Sequence, residues 1–201
     1  ENASLFQQMD QLAKSERIAV NRRTILYDVS QEISSSLNIE QVYEAIHHAA
    51  KRLMPCDDFI IDLYNENNNE VQPVYIFELD HQLEAPAFLA DRGLSGHVIH
   101  KGRSIRLNSQ EEMEMSGIEF EQRGSKFDTA SVLAVPVRLK GQIIGMISAR
   151  SYQTQAYTKE DQELLEMLAT HAAIAFENAR QFAYSQKLAS IDSLTSIYNR
   201  R

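Results

Sequence analysis

The chain has 201 residues, of which 20 are basic and 28 are acidic, so its formal net charge is −8. Apolar residues make up 43% of the sequence, a globular composition that excludes a disordered or fibrous protein. The acidic balance argues against nucleic acid as a partner. The single cysteine, Cys56, excludes a disulfide framework and a cysteine-based zinc site. No apolar run of about 18 residues occurs, so we expect no membrane segment in this chain and a cytoplasmic location.

The first predicted element is a long helix over residues 1–34, which contain no Gly or Pro. Apolar residues recur there every seven positions in two neighbouring columns, a repeat that is typical of coiled coils. We expect this helix to pair with that of a second chain in a homodimer. The column between the two is mostly polar, so an amphipathic helix that lies on its own domain is the alternative. The residues assigned to this part of the dimer seam are Leu5, Leu12 and Leu26.

The middle of the chain predicts helices and hairpins. A helix with Asn38 as its N-cap precedes the first hairpin and ends before Pro55. Between the hairpins, residues 93–102 predict a turn and a short helix, and the acidic residues 109–129 predict a solvated loop. The predicted strands are rich in β-branched and aromatic residues and are separated by turn signals. They are residues 59–64, 71–77, 104–107, 130–139 and 142–149.

The last predicted element is a helix over residues 158–190, which begins with a Thr-x-x-Asp capping box and contains no Gly or Pro. Leu164, Met167 and Ile174 give its first half the width to cover a sheet. A thin apolar stripe continues beyond that half, and a helix with such a stripe needs a partner helix, so we expect a dimer seam along it. The residues assigned to this part of the seam are Leu165, Leu168, Ala172, Ala175, Ala179 and Phe182.

The order of elements predicts an α+β fold, in which an antiparallel sheet of five or six strands is packed by helices, with long N- and C-terminal helices. Four consecutive blocks of the chain resemble a GAF domain, and the match spans residues 24–184. The blocks are residues 93–105, 131–137, 141–147 and 168–180. The resemblance implies a GAF-like sheet and a sensory role, with a small-molecule ligand of unknown identity, or none.

Residues 188–201 resemble the start of a GGDEF, or diguanylate cyclase, domain, whose signature there is Asp-x-Leu-Thr-Gly-Leu-x-Asn-Arg-Arg. Ser196 and Ile197 replace the Gly and the second Leu of the signature. The matching residues are Asp192, Leu194, Thr195, Asn199, Arg200 and Arg201. The resemblance implies a parent enzyme that joins two GTP molecules into cyclic di-GMP with the help of Mg²⁺.

Together the two resemblances imply a bacterial signalling protein in which the GAF domain controls a cyclase domain. The catalytic and metal-binding residues of such a cyclase lie after Arg201, so we expect no catalytic residue and no metal site in this chain. Because the chain begins on Glu1 rather than Met, we expect it to be a piece of a longer protein. The implied organisation is a dimerisation helix 1–34, a GAF domain 24–184, an output helix 158–190 and a truncated GGDEF start 191–201.

Two other signalling roles were compared with this one. A ligand-free GAF domain that serves only as a dimerisation scaffold is the alternative. An input domain of a histidine kinase is disfavoured, because residues 192–195 replace the motif that would follow the helix in such a kinase.

The GAF resemblance also implies a ligand pocket between the sheet and the loop region. We assign aromatic side chains to its lining, with Arg92 and His97 as polar groups, while core packing is the alternative for the aromatics. The candidates are Tyr75, Phe77, Phe88, Arg92, His97, Phe120 and Phe127. Cys56 has no adjacent His for bilin attachment, and one cysteine cannot serve a methionine sulfoxide reductase of this family. Residues 125–128 lack the Asn and the Asp-Glu pair of the cyclic-nucleotide signature.

Overall fold

The computed structural model describes Thr24, Ser36, residues 38–120 and residues 129–189. The elements in chain order are α1 (Ile39–Leu53), β1 (Asp58–Asn65), β2 (Glu70–Glu78), β3 (His81–Leu83), β4 (Phe88–Leu89), α2 (Gly93–Lys101), β5 (Ile105–Leu107), α3 (Gln110–Met115), β6 (Ser131–Leu139), β7 (Gln142–Ser151) and α4 (Lys159–Ala189). Several sequence predictions lie outside the described residues. They concern Leu5, Leu12, Leu26, Phe127, Asp192, Leu194, Thr195, Asn199 and Arg200.

The strands form one antiparallel sheet in the order β3-β2-β1-β7-β6-β5, and β4 pairs with the other end of β2. The predicted α+β class and antiparallel sheet are confirmed, but the described sheet has seven strands rather than five or six. The difference comes from β3 and β4, which are three and two residues long. An alternation of apolar and polar residues cannot be recognised over so few positions.

Two helices cover one face of the sheet and enclose the main apolar core. α1 begins after Asn38, whose side chain accepts hydrogen bonds from the backbone N–H groups of Glu40 and Gln41, as an N-cap does. Buried residues of α1 recur at helical spacing and include Val42, Ile46, Ala49 and Leu53. They pack, together with α4, against inward side chains of the three central strands. These strand residues are Phe59, Ile61, Leu133, Val135 and Ile147.

The predicted capping box at the start of α4 is present. The backbone N–H of Asp161 donates to Thr158 Oγ1 at 3.2 Å, and the backbone N–H of Thr158 donates to Asp161 Oδ2 at 2.9 Å. α4 is 31 residues long, which corresponds to roughly 47 Å at 1.5 Å per residue. Buried residues occur in it as far as Ala179, whereas residues 181–187 are all exposed. The helix therefore extends past the domain that its first half covers.

The structure places the predicted seam of α4 in the core of its own domain. Leu165, Leu168, Ala172 and Ala175 are fully buried within the main apolar core, and Ala179 is also buried. Small alanine side chains let α4 approach the sheet and α1 closely, so a narrow apolar stripe is enough to cover them. Those residues consequently have no surface to offer to a second chain.

The side chains that α4 does expose are different ones. Met167 and Ile174, which were expected to cover the sheet, are 44% and 47% exposed, while Leu164 is buried. Because seven residues return an α-helix to within about 20° of the same direction, Met167 and Ile174 lie one above the other, and we call them the outer pair. Phe182 continues the line of Leu168 and Ala175 beyond the domain, where it is 40% exposed.

Candidate functional site

The face of the sheet opposite α1 and α4 carries a group of buried polar side chains. Residues directly opposite each other in neighbouring strands point to the same face, and the register pairs Asp58 with Arg150. Side chains alternate between the two faces along each strand, so Asp62 of β1, Glu78 of β2 and Ser148 of β7 also lie on this face. We call these residues the polar cluster: Asp58, Asp62, Glu78, Ser148 and Arg150. Its acids and its serine are at most 3% exposed.

Hydroxyl groups of neighbouring residues hold two of the acids. Ser95 Oγ on α2 donates to Asp62 Oδ2 at 2.6 Å, and Tyr152 Oη donates to Asp58 Oδ1 at 2.6 Å. Burial raises the pKa of Asp58 above its ordinary value, while the Tyr152 hydrogen bond and the nearby Arg150 charge oppose this rise in part. Ser148 is different, because its Oγ is fully buried and has no hydrogen-bond partner among the described residues.

An apolar group lies beside the polar cluster on the same face of the sheet. Buried side chains of β6 and β7 pack there against α2 and α3, and Ile118 and Phe120 contact them from the segment after α3. The buried members of this group are Leu94, Val98, Met113, Val132, Ala134 and Met146. Val132 lies opposite Arg150 and Ala134 lies opposite Ser148. The face is therefore amphipathic, with charged and apolar parts in adjacent strands.

The structure describes six of the seven residues that were assigned to the pocket, all but Phe127, and it separates those six. Tyr75 and Phe77 belong to the helix-covered face, where Tyr75 is buried in the main core and Phe77 packs at its edge. Both Tyr75 and Phe77 therefore serve core packing, which was the alternative given for the aromatic candidates. Their positions follow from the register, because Phe77 pairs with Phe59 and Tyr75 with Ile61, whose side chains face α1 and α4.

The other candidates lie on or near the opposite face. Phe88 packs against Val71 and Ala90, and Phe120 packs beside the apolar group. Arg92 is the exposed N-cap residue of α2, and His97 is half-buried on the same helix.

The sequence reasoning missed the polar cluster, although one signal for it was available. In the strand of residues 58–63, acids at Asp58 and Asp62 alternate with the apolar Phe59 and Ile61. Alternation in a strand places one set on each face, so two acids on one face of a central strand predict a polar patch under whatever covers that face. Glu78 and Arg150 lie beside these acids only because β2 and β7 flank β1 in the sheet.

Tyr75 instead forms a buried polar pair with His47 of α1. Tyr75 Oη and His47 Nδ1 share a hydrogen bond of 3.0 Å, and the His47 ring stacks on Phe59 with ring centroids 5.1 Å apart. Burial, with smaller contributions from His48 and Lys51, lowers the pKa of His47 to about 4, and burial raises that of Tyr75 to about 12. Both side chains are therefore neutral at pH 7 and act as core.

We predict that His47 makes the domain less stable in acid. The unfolded chain takes up a proton on His47 near pH 6.5, whereas the folded chain resists it until about pH 4, so stability falls as the pH drops from 6.5 to 4. The loss amounts to about 3 kcal/mol. Urea unfolding at several pH values should show a smaller acid loss for His47→Gln than for the wild type. The exposed neighbour gives the control: His48→Gln should keep most of the wild-type loss, because His48 contributes less than burial does, and equal losses in all three proteins would contradict the assignment.

Cys56 shows no feature of a reactive thiol. It is buried, and burial raises its pKa to about 12. In the part of the chain that the structure describes, no group of three or more His, Cys, Asp or Glu side chains is arranged to hold a metal ion. Among the same residues, no helix combines the length and the apolar character that crossing a bilayer requires.

A separate open cleft of about 410 Å³ lies at the β5 edge of the sheet. Its lining residues are Arg106, Leu107, Asn108, Glu112, Met115 and Ser116. The polar groups here are engaged in structural contacts: Asn108 Nδ2 donates to the Tyr157 carbonyl at 2.8 Å, and the backbone N–H of Asn108 donates to Glu112 Oε2 at 2.6 Å. None of the assigned pocket residues that the structure describes lines this cleft.

Comparison with known proteins gives the family. A family model for the GAF domain matches residues 36–177. Among curated proteins, a probable 3′,5′-cyclic phosphodiesterase, pde-5, from Caenorhabditis elegans is 20% identical over 181 residues, which cover 83% of this chain and 25% of that protein. The chain thus spans about a quarter of the length of this relative.

Solved structures agree on the fold. The GAF domain of a phosphoenolpyruvate-protein phosphotransferase from Coxiella burnetii superposes with a TM-score of 0.70 at 19% identity and covers 83% of this chain and 98% of that one. The corresponding GAF domain from Acinetobacter gives a TM-score of 0.67 at 19% identity, over 79% and 93% of the two chains. The family model covers well over half of the sequence, and the sheet with its helix-covered face is the fold of these relatives. The chain therefore belongs to the family of GAF domains, which are signalling and regulatory domains.

Proposed function

We propose that this GAF domain is a cytoplasmic input domain that controls a diguanylate cyclase placed after its C-terminal helix. The observation that carries the proposal is that the cyclase-like residues 192–201 follow the end of α4 after only two residues of sequence. α4 is anchored in the main core by Leu165, Leu168 and Ala172 and then extends past the domain over residues 181–187, which are exposed. A change at the sheet can therefore reach the next domain through one rigid helix.

The proposed reaction makes a dimer necessary. A diguanylate cyclase joins two GTP molecules with Mg²⁺ and needs two cyclase domains face to face, so the position of one output helix relative to its partner sets the rate. We propose a homodimer in which α4 meets its counterpart through the outer pair within the domain and through Phe182 beyond it. Exposed Met, Ile and Phe side chains on one long helix support this arrangement. Packed helix pairs have discrete arrangements, which lets a small shift switch the output.

An experiment that changes the rotation of the output helix in the full-length protein, which we call the phase experiment, tests the proposal. Two residues inserted after Tyr184, in the exposed part of α4, rotate everything that follows by roughly 200°, whereas seven inserted residues rotate it by only about 20° in the opposite sense. We expect the two-residue insertion to change the rate of cyclic di-GMP formation by about tenfold or more, and the seven-residue insertion to leave it near the wild-type rate.

Two results would contradict the proposal. One is a full-length protein that makes no cyclic di-GMP from GTP in the presence of Mg²⁺. The other is a cyclase whose rate is the same in the wild type and in both insertion variants, because helix phase would then not carry the signal. Native mass spectrometry of the purified chain separates a ligand-binding domain from a ligand-free scaffold by the extra mass of a retained small molecule.

A further inference from the structure

The segment of residues 152–158, which joins β7 to α4 and which we call the connector, is held by Asn108 at the edge of the sheet. Asn108 is buried just after β5 and forms three hydrogen bonds with the connector. Its side chain accepts from the backbone N–H of Tyr157 at 3.0 Å and donates to the Tyr157 carbonyl at 2.8 Å. Its backbone carbonyl accepts from the N–H of Gln155 at 2.8 Å. One amide side chain thus holds both backbone groups of a residue two positions before α4 begins.

The connector is held in a conformation that is unfavourable in two places. Gln155 has φ +55°, in the left-handed region that residues other than glycine rarely adopt. The side chain of Tyr157 is 2% exposed, and its hydroxyl has no hydrogen-bond partner among the described residues, although buried hydroxyls are normally hydrogen-bonded. Both features fall on the two residues that Asn108 holds. Strain of this kind persists only while surrounding contacts enforce it, so the loss of the Asn108 hydrogen bonds should let the connector adopt a second conformation.

Glu112 of α3 connects Asn108 to the face of the sheet opposite α1 and α4. Glu112 Oε2 accepts from the backbone N–H of Asn108 at 2.6 Å. The next residue of α3, Met113, is buried in the apolar group on that face. Asn108 and Glu112 also line the open cleft at the β5 edge. A shift of α3 therefore reaches Asn108 directly, and through Asn108 it reaches the start of α4.

We propose that Asn108, with its hydrogen bonds to Gln155 and Tyr157, is a releasable latch through which α3 sets the conformation of the connector and of the first turn of the output helix. When the latch is closed, it enforces the left-handed Gln155 and the unpartnered Tyr157 hydroxyl. When it opens, both are relieved and the start of α4 shifts, while the residues of α4 in the main core stay in place. This inference rests on the proposed function, for which it names the internal contact that regulates the output helix.

Amide hydrogen exchange in the ¹⁵N-labelled 201-residue chain tests the coupling. Glu112→Ala removes the contact of α3 with Asn108 and leaves the Asn108 side chain in place, and we expect the Tyr157 amide to exchange roughly fivefold faster or more. Asn108→Ala should have a larger effect on the same amide. The amides of residues 168–176 in the main core should keep their wild-type rates in both variants. Glu112→Ala carries the test even if Asn108→Ala fails to fold.

Two further variants of α3 serve as controls. Glu111→Ala removes the neighbouring exposed acid of the same helical turn and should exchange like the wild type. Glu112→Gln keeps an oxygen that can accept the Asn108 N–H and should restore most of the protection of Tyr157. An unchanged Tyr157 rate in Glu112→Ala would overturn the proposal, because α3 would then not set the latch. Equal acceleration in residues 168–176 would also overturn it, because the whole domain would then be opening.

The strain in the closed latch has a test of opposite sign. Tyr157→Phe removes the hydroxyl that lacks a partner and keeps the ring in the core, so we expect the thermal midpoint to rise by about 2–6 °C. A lower midpoint would show that the hydroxyl is satisfied in the closed state, and it would overturn the proposal. In the full-length protein, Glu112→Ala should change the rate of cyclic di-GMP formation severalfold while Glu111→Ala does not. A full-length protein that gives the expected exchange rates and makes no cyclic di-GMP would contradict only the proposed function, so the latch and the cyclase can fail separately.

Discussion

Replacing Gly145 by valine should lower the thermal midpoint of this domain by about 6–12 °C. β1 and β7 approach each other closely at this position, and a Cβ atom built on Gly145 would overlap the backbone carbonyl of Asp62. Backbone atoms cannot rotate away as a flexible side chain can, so the two strands must separate locally. Overpacking of this kind costs about 3 kcal/mol, and each kcal/mol shifts the midpoint of a chain of this size by about 2–4 °C.

A second glycine, in the turn just before the same strand, tests the cause. Gly141 is in the turn before β7 with φ +86°, and apart from its two chain neighbours no described residue has an atom within 4 Å of a Cβ built on it. Gly141→Ala should therefore cost only about 1 kcal/mol, from backbone strain alone. Differential scanning calorimetry measures both variants. Equal midpoints for Gly145→Val and Gly141→Ala would show that the close approach to Asp62 is not the source of the loss.

Local features of this fold could be predicted from sequence because neighbouring residues determine them. The capping box of Thr158 and Asp161 requires only four consecutive residues, and it forms as expected. The turn at Lys140 and Gly141 also forms as predicted, with both residues at positive φ, as a tight hairpin turn requires. Hairpins and helices follow from such signals together with their periodicity.

The orientation of α4 could not be obtained in this way. Its sequence carries apolar residues on two sides, one with Leu168 and Ala175 and the other with Met167 and Ile174. A periodicity analysis identifies both sides, but the choice between them depends on the shape of the surface that α1 and the sheet present. That surface accepts the side with small alanines, and larger side chains are left outside.

The polar cluster was missed for a related reason. Asp58, Glu78 and Arg150 are far apart in sequence, and they meet because β1 lies between β2 and β7 in the sheet. Strand order depends on long-range pairing, which a single sequence does not specify. The aromatic residues chosen instead, such as Tyr75, are the type that fills cores, and the register turns Tyr75 toward the helices.

Charging the outer pair should convert the proposed homodimer into a monomer without unfolding the domain. In the double variant Met167→Glu with Ile174→Glu, two exposed apolar side chains become acids that would repel their counterparts on a second α4. Because both positions are more than two-fifths exposed, the cost to the isolated domain should stay within about 0.5 kcal/mol for each substitution. Sedimentation velocity should show loss of the dimer, while circular dichroism should show an unchanged fold.

A substitution on the buried side of the same helix gives the matched control. Ala175 is fully buried in the main core, so Ala175→Glu places an unpaired charge in an apolar interior, at a cost of several kcal/mol. We expect that variant to unfold at much lower temperature, whether or not a dimer forms. If instead Ala175→Glu yields a folded monomer and the outer-pair variant is still dimeric, α4 meets its partner through the side predicted from the sequence. A dimer that persists in every folded variant would exclude α4 as the contact, and the output helix could not then carry a signal by helix phase.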